Sequence, residues 1–580
     1  MKSLTLRIAR PLAASVLAAL CATHASAGEV AKANNTDALN LTTSWSLGTA
    51  PTATDVALWD ATVTAANTVL LGADTSWQGI KLTSPGGAVT ISAGNILTLG
   101  ASGIDLGSST QNLSIAAPIV LGANQTWSVG TGRTLSILGG VTNSTSTLTK
   151  SGAGVLFLDN VGTNGTLTGI NLTGGQVTFK GVAAGGTAAA ITAADGTTIH
   201  MDNVTTSTST FISNSISVVS GATVTHTSDS AGNGYSGAVS GDAASTYIIG
   251  VNQQVGFSAT NSQQFGNFLG TVRVNSGAGI RFSTSSTLNN GGTNTTFDVL
   301  GNMTTRGGGT VHLGTLTGNG TITGPGGADG TATYSIGAKG VNSEFSGAIS
   351  DNTSVRRVAV TKTGAGILTL SGTNTYTGAT AVNAGTLQVN GSLGASVVTV
   401  GASGTLGGTG TIGGATTVNG TLAPGASPGV LTFNSTLTLA GTANMELNGT
   451  ARGTTYDGIN VGGTLTYGGT LNLTFGSSFL AGGESFSLFT AADGTSVPAS
   501  VTGSFATVNL LGGYSGSLTN NSGVWTGTIG GIDFTFTQST GLLTTALSGS
   551  PVPEPSTYAA LAGLSVLGFT ATRRRRARTS

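Results

Sequence analysis

In residues 358–391 apolar positions alternate with threonine and serine: Val358 and Val360, Leu368 and Leu370, Leu387 and Val389, with Thr361, Thr369, Ser371 and Thr386 between or beside them. A period of two sends successive side chains to opposite faces, so the pattern predicts half-buried strands about five residues long. The runs break at Gly364-Ala365-Gly366, Gly372-Thr373-Asn374, Gly378 and Ala384-Gly385, residue types that accept tight-turn conformations. Leu368, Leu387 and Leu406 recur at equal intervals and Leu422 follows at a slightly shorter one, the last three each behind a Gly-Thr pair. A repeat near twenty residues suits one coil of a β-solenoid, in which every coil buries its apolar positions against the coils above and below. Similar short segments at 89–91, 96–99, 113–115, 135–138 and 216–219 extend the expectation over residues 62–450. That length gives about twenty rungs at about 4.8 Å each, a rod on the order of 100 Å. Glycine, threonine and serine are so common in 62–357 that the pattern fixes no single register there.

The same stretch resembles the autotransporter-associated β-strand repeat. Lys362, Gly364, Gly366, Leu368, Leu370, Gly372, Asn374, Tyr376, Gly378, Thr380, Val382, Gly385 and Leu387 fall on that family's pattern, and residues 150–159, opening on Lys150, are a degenerate second copy without the tyrosine. The resemblance implies an all-β, single-stranded right-handed β-helix serving as a surface or secreted passenger. It implies no activity.

A helix of coils needs both ends covered, because an open end is an unpaired edge that recruits other chains. Residues 28–61, with Trp45, Pro51, Asp55 and Trp59, are the expected N-terminal cap, and the aromatic-richer 451–551 the expected C-terminal β segment. A competing reading of Trp45, Trp59, Trp77 and Trp127 is a sugar-stacking platform, since an indole offers a flat apolar face to a pyranose. A translocator barrel would need many more strands of about ten residues than 451–551 can supply beside a cap.

The two ends read as addresses. Residues 1–27 place Lys2, Arg7 and Arg10 before a short apolar run and Ala25-Ser26-Ala27, the order of a secretory signal peptide cleaved after Ala27, with Ala25 and Ala27 at the small-residue positions. At the other end, Pro553-Glu554-Pro555 precedes an apolar run over 558–571 and then Arg573, Arg574, Arg575 and Arg576. The prolines favour an extended, grippable segment, and the arginines would act as a membrane stop on the cytoplasmic side. This tail, 552–580, resembles the PEP-CTERM sorting signal. By that resemblance the exosortase and secretion machinery are partners, the tail gives a transient inner-membrane anchor, and the body is delivered to the outer surface or extracellular matrix of a Gram-negative bacterium.

Composition narrows the chemistry. The only cysteine, Cys21, lies in the signal segment, so the exported body has neither disulfides nor thiolate metal sites. The 21 basic and 21 acidic residues balance only through the ends; setting aside the eight basic residues and one acidic residue there leaves 13 against 20 in 28–551. A mildly acidic body without a basic stripe argues against nucleic acid as a partner and against a polybasic membrane face.

β-Helices also carry polysaccharide lyases and glycosidases, and a carbohydrate-active enzyme is the alternative function. Such chemistry needs paired carboxyl groups, or a base with a cation. Glu29, Glu344, Glu446 and Glu484 are the body's only glutamates, and Asp195, Asp202, Asp229, Asp242 and Asp329 stand singly, many beside turn residues. His200, His226 and His312 have no partner at a metal-binding spacing. The expectation is therefore a non-enzymatic structural or adhesive protein with no catalytic, cofactor or metal residues, its outward threonines, serines and asparagines available to extracellular polysaccharide.

Overall fold

The computed structural model describes residues 27–549, apart from 143–144, 160–168, 181–189, 203–210, 213, 230–233, 236, 251–253, 258–263, 283–288 and 426. The sorting residues Pro553, Glu554 and Pro555, the arginines Arg573, Arg574, Arg575 and Arg576, and Ala25 of the signal site lie outside the described residues.

Alternation becomes a β-solenoid. Twenty parallel strands, from Asn67–Val69 to Ser500–Gly503, form one continuous ladder, each pairing with the strand one coil away. The two end strands pair only inward, so the ladder is open. At about 4.8 Å per strand it is on the order of 90 Å long. A second sheet runs from Gly28–Ala31 to Asn267–Phe268, and another begins at Ser343–Phe345, stacked on the end of the long ladder strand Gly309–Thr317 through a parallel bridge from Gly318 to Phe345. A third wall starts at Phe211–Ile212 and continues through Thr373–Asn374 to Phe489–Ala491, so the later coils have three sides. The one helical turn among the described residues is Thr42–Ser44.

The leucine spacing is the coil length. Leu368 pairs with Leu387, Leu387 with Leu406 and Leu406 with Leu422, and all four are buried in one column. Fully burying each such side chain is worth roughly 1.5–3 kcal/mol, enough to hold the register because a one-residue slip would turn the column outward. A corner built from glycine lets the coils approach: a Cβ on Gly372 would strike the carbonyl of Gly347, one on Gly391 that of Gly372, and one on Gly410 that of Gly391.

At the N-terminal end Trp45, Trp59 and Trp77 meet edge to face, with ring centroids 5.8–6.3 Å apart. All three, and Trp127, are at most 2% exposed. The sugar-stacking reading is thereby corrected: these indoles fill the interior of the first coils, where Trp45 Nε1 donates to Leu39 O at 2.9 Å and Trp59 Nε1 to Asn67 Oδ1 at 3.0 Å. No ring face is left for a pyranose.

The C-terminal end changes pattern. After the parallel strand Thr507–Gly512 the chain doubles back through Gly516–Asn521, Val524–Ile529, Ile532–Thr537 and Leu542–Leu547, every pairing antiparallel, and the last of these returns to pair with Ser485–Ser487. Phe475, Phe534 and Tyr514 stack there, as do Tyr467, Phe489, Phe505 and Phe536.

Candidate functional site

The polar residues of the repeat point inward. Lys362 ends the strand Arg356–Lys362 on the buried phase of the alternation, 1% exposed, and its ammonium donates to the carbonyls of Thr363, Gly364 and Ala384 at 2.7, 2.8 and 3.1 Å. Lys150, in the degenerate copy, does the same with Ser151, Gly152 and Gly174 at 2.9, 2.8 and 3.0 Å. Burial pulls both amines down to about 8, while the three carbonyls favour the charged form. Two of the acceptors belong to the lysine's own turn and the third to the next coil, so each lysine latches one coil to another.

Asn374 spans three coils: its Oδ1 accepts from Ile349 N at 3.1 Å, and its Nδ2 donates to Gly372 O and Ser392 O, both at 3.1 Å. Tyr376 OH, Thr380 Oγ1 and Ser396 Oγ form a buried chain of 2.7 Å contacts that ends on Gly378 O, and burial pushes the phenol up to about 12. These side chains are consumed by the fold. Chemically the repeat is a set of latches that satisfies backbone groups which a solenoid corner would otherwise orphan.

The carboxylates are largely engaged with turns. Asp195 accepts from Thr223 N at 2.8 Å, Asp242 from Ser245 Oγ at 2.8 Å and Ala244 N at 3.1 Å, and Asp329 pairs with Arg356 at 3.0 Å. Glu344 accepts from Ser371 Oγ at 2.6 Å and Glu446 from Ser427 Oγ at 2.5 Å. Asp457, 1% exposed, accepts from Gly429 N and Glu446 N, both at 2.7 Å, and desolvation raises its carboxyl to about 6. It braces the glycine-rich turn around Ser427. Two cavities, of 580 and 460 Å³, lie in the C-terminal antiparallel region, the larger lined by Leu480, Tyr514, Ile529, Gly530 and Leu547 and the smaller by Val501, Asn520 and Gln538. Neither is lined by a carboxylate, histidine or lysine.

One grouping is invisible to sequence spacing. His200 on the strand Thr197–Met201 faces Thr227 of the next coil, His200 Nδ1 and Thr227 Oγ1 lying 2.8 Å apart. His200 Nε2 is 3.4 Å from Asp229 Oδ2, and one donor atom each from His200, Asp202 and Asp229 lies within 4.8 Å of the others. Asp229 comes from a different coil than His200 and Asp202, and only the pairing of Met201 with Ser228 stacks the two aspartates that follow those strands. His226, on the inward phase of the same neighbouring strand, is fully buried with Tyr247 OH 3.2 Å from its Nδ1, and burial pulls the imidazole down to about 3. His312 is partly buried and shifted down by desolvation.

Two family matches fit this architecture. Residues 360–389 match the passenger-associated-transport-repeat, the stretch that holds Lys362, Asn374 and Tyr376. Residues 551–576 match the PEP-CTERM protein-sorting motif, which covers Pro553, Glu554, Pro555 and the arginines through Arg576. The sorting motif implies export through an exosortase system in a Gram-negative bacterium. No curated protein matches the chain. The chain is thus a β-solenoid that carries a passenger-associated-transport-repeat and ends in a PEP-CTERM protein-sorting motif.

Proposed function

We propose that the protein is a non-enzymatic rod of the cell surface or extracellular matrix, structural and adhesive, that holds extended polysaccharide along its outward threonine columns. One observation carries the reading. Thr386, Thr405, Thr421, Thr442, Thr470 and Thr507 stack in register along one wall, and Thr399, Thr417, Thr438, Thr466 and Thr502 along another. Each column offers a hydroxyl about every 4.8 Å, a regular line that a polymer of sugar units can follow without a pocket. In this reading Ala27 is the last residue of a cleaved leader, residues 28–61 and 451–551 close the two ends of the 62–450 stack, the tail 552–580 holds the chain transiently in the inner membrane, and exosortase cuts near Pro555.

Intact mass of the protein recovered separately from the membrane and the medium of its host tests the route. Loss of the leader through Ala27 and of everything beyond the neighbourhood of Pro555 is expected in the released form; an arginine tail retained in both fractions would overturn the processing step. Co-sedimentation with the host's own polysaccharide tests the surface. Wild-type protein is expected to pellet and a variant with Thr405, Thr421 and Thr442 all changed to Val to stay in solution while keeping the wild-type circular dichroism; equal pelleting would sink the threonine-column idea.

A further inference from the structure

We propose that His200, Asp202 and Asp229 form a binding site for a divalent transition metal of the zinc type, which ties two successive coils of the solenoid together. Three observations carry it. The donor set is one imidazole nitrogen and two carboxylate oxygens, a combination that suits zinc and its first-row neighbours. The spacing fits: bonds of about 2.1 Å arranged tetrahedrally put neighbouring ligand atoms about 3.4 Å apart, and His200 Nε2 and Asp229 Oδ2 are 3.4 Å apart, with Asp202 inside the same 4.8 Å group. The imidazole is also aimed. Thr227 Oγ1 occupies Nδ1 at 2.8 Å, which leaves Nε2 directed at Asp229 in the way an outer partner orients a metal-bound histidine.

The surroundings leave the group approachable. The side chains of His200 and Asp229 are 18% and 51% exposed, enough to admit an ion from solvent. Lys180, which the register places one coil before Asp202, reaches Asp159 at 3.5 Å on the coil beyond it. Three protein ligands leave one position of a tetrahedral ion for water or an outside donor, such as a polysaccharide hydroxyl or carboxylate.

The test uses the whole exported protein, stripped with chelator and dialysed against zinc, cobalt or calcium chloride. Wild-type protein is expected to retain one zinc per chain and, with cobalt, to develop the intense visible absorption of a four-coordinate site. H200A is expected to lose both signals and D229N to bind zinc roughly tenfold or more weakly, whereas H312A keeps wild-type stoichiometry. Asp229 is half exposed, so D229N keeps the experiment decisive if H200A does not fold. No zinc retained, zinc retained equally by folded H200A and D229N, or calcium bound in preference to zinc would each overturn the assignment; in those outcomes His200 and Asp229 are an ordinary ion pair.

Discussion

The coils between 358 and 439 and the sheet between 485 and 547 obey the same alternation and are built on opposite plans. In the coils every strand pairs in parallel with the strand one coil away and the core is a column of aliphatic side chains repeated at nearly constant spacing. In the terminal sheet, formed by Ser485–Ser487 and the four strands from Gly516–Asn521 to Leu542–Leu547, every strand pairing is antiparallel and the core is a pile of rings, Phe475 and Phe534 at 5.8 Å and Tyr514 and Phe534 at 5.3 Å. A stack of identical coils can add another coil indefinitely, so something unlike a coil has to stop it. Doubling the chain back pairs the free edge of Thr507–Gly512 within the molecule, and large rings fill the core beside it.

The largest test of that contrast removes the cores. Phe534→Ala is expected to cost about 3–5 kcal/mol and Leu406→Ala about 2–5 kcal/mol, with different reach. Loss at Leu406 should raise hydrogen exchange in the coils on both sides, since each coil is held by its neighbours, while loss at Phe534 should raise exchange only near the C-terminal end; identical protection maps would erase the distinction. Next come two glycines. Gly391→Ala drives a Cβ into the Gly372 carbonyl and should cost about 1–3 kcal/mol. Gly531→Ala meets open space but sits at φ +79°, so its cost is conformational, about 1 kcal/mol. Denaturant midpoints rank the two.

Lys362→Met leaves three carbonyls without their donor and is expected to cost about 1–3 kcal/mol, read from the same midpoints; a neutral result would mean water takes the ammonium's place. His226 gives a pH signature. Its imidazole titrates at about 3 in the fold and near its ordinary 6.5 when unfolded, so the unfolded chain holds the extra proton between those values and stability falls as pH drops through that window. The slope should be about 1.4 kcal/mol per pH unit, and His226→Phe should remove that slope from the melting temperature below pH 6. The smallest effect belongs to the wet face: Thr405→Val should change stability by no more than about 0.5 kcal/mol.

Legibility followed the repeat. Leu368, Leu387, Leu406 and Leu422 could be placed in one column from spacing alone, because successive coils of nearly equal length carry the same Gly-Thr-Leu signature. Between 181 and 290 the coils are longer and unequal; Ile191 pairs with Ile216 and Ile216 with Val239 without a shared motif, and no spacing rule could pick those partners. Lys362 and Lys150 were legible as equivalent positions but not as interior groups, since a lysine in a strand reads as solvated until the carbonyls around it are seen. The tryptophans misled for a related reason: an indole is equally suited to a ligand face and a core.

The sequence by itself determined the β-solenoid and the sorting tail, because alternation, glycine corners and a tripartite end are local signals that need no partner to be read. The tertiary structure alone decided which surfaces remain available. Burial of the four early tryptophans, consumption of Lys362 and Tyr376 by backbone and hydroxyl partners, and the meeting of His200 with Asp202 and Asp229 all depend on which coil lies over which. That pairing is fixed by the summed burial of whole columns, a quantity no short stretch of the chain contains.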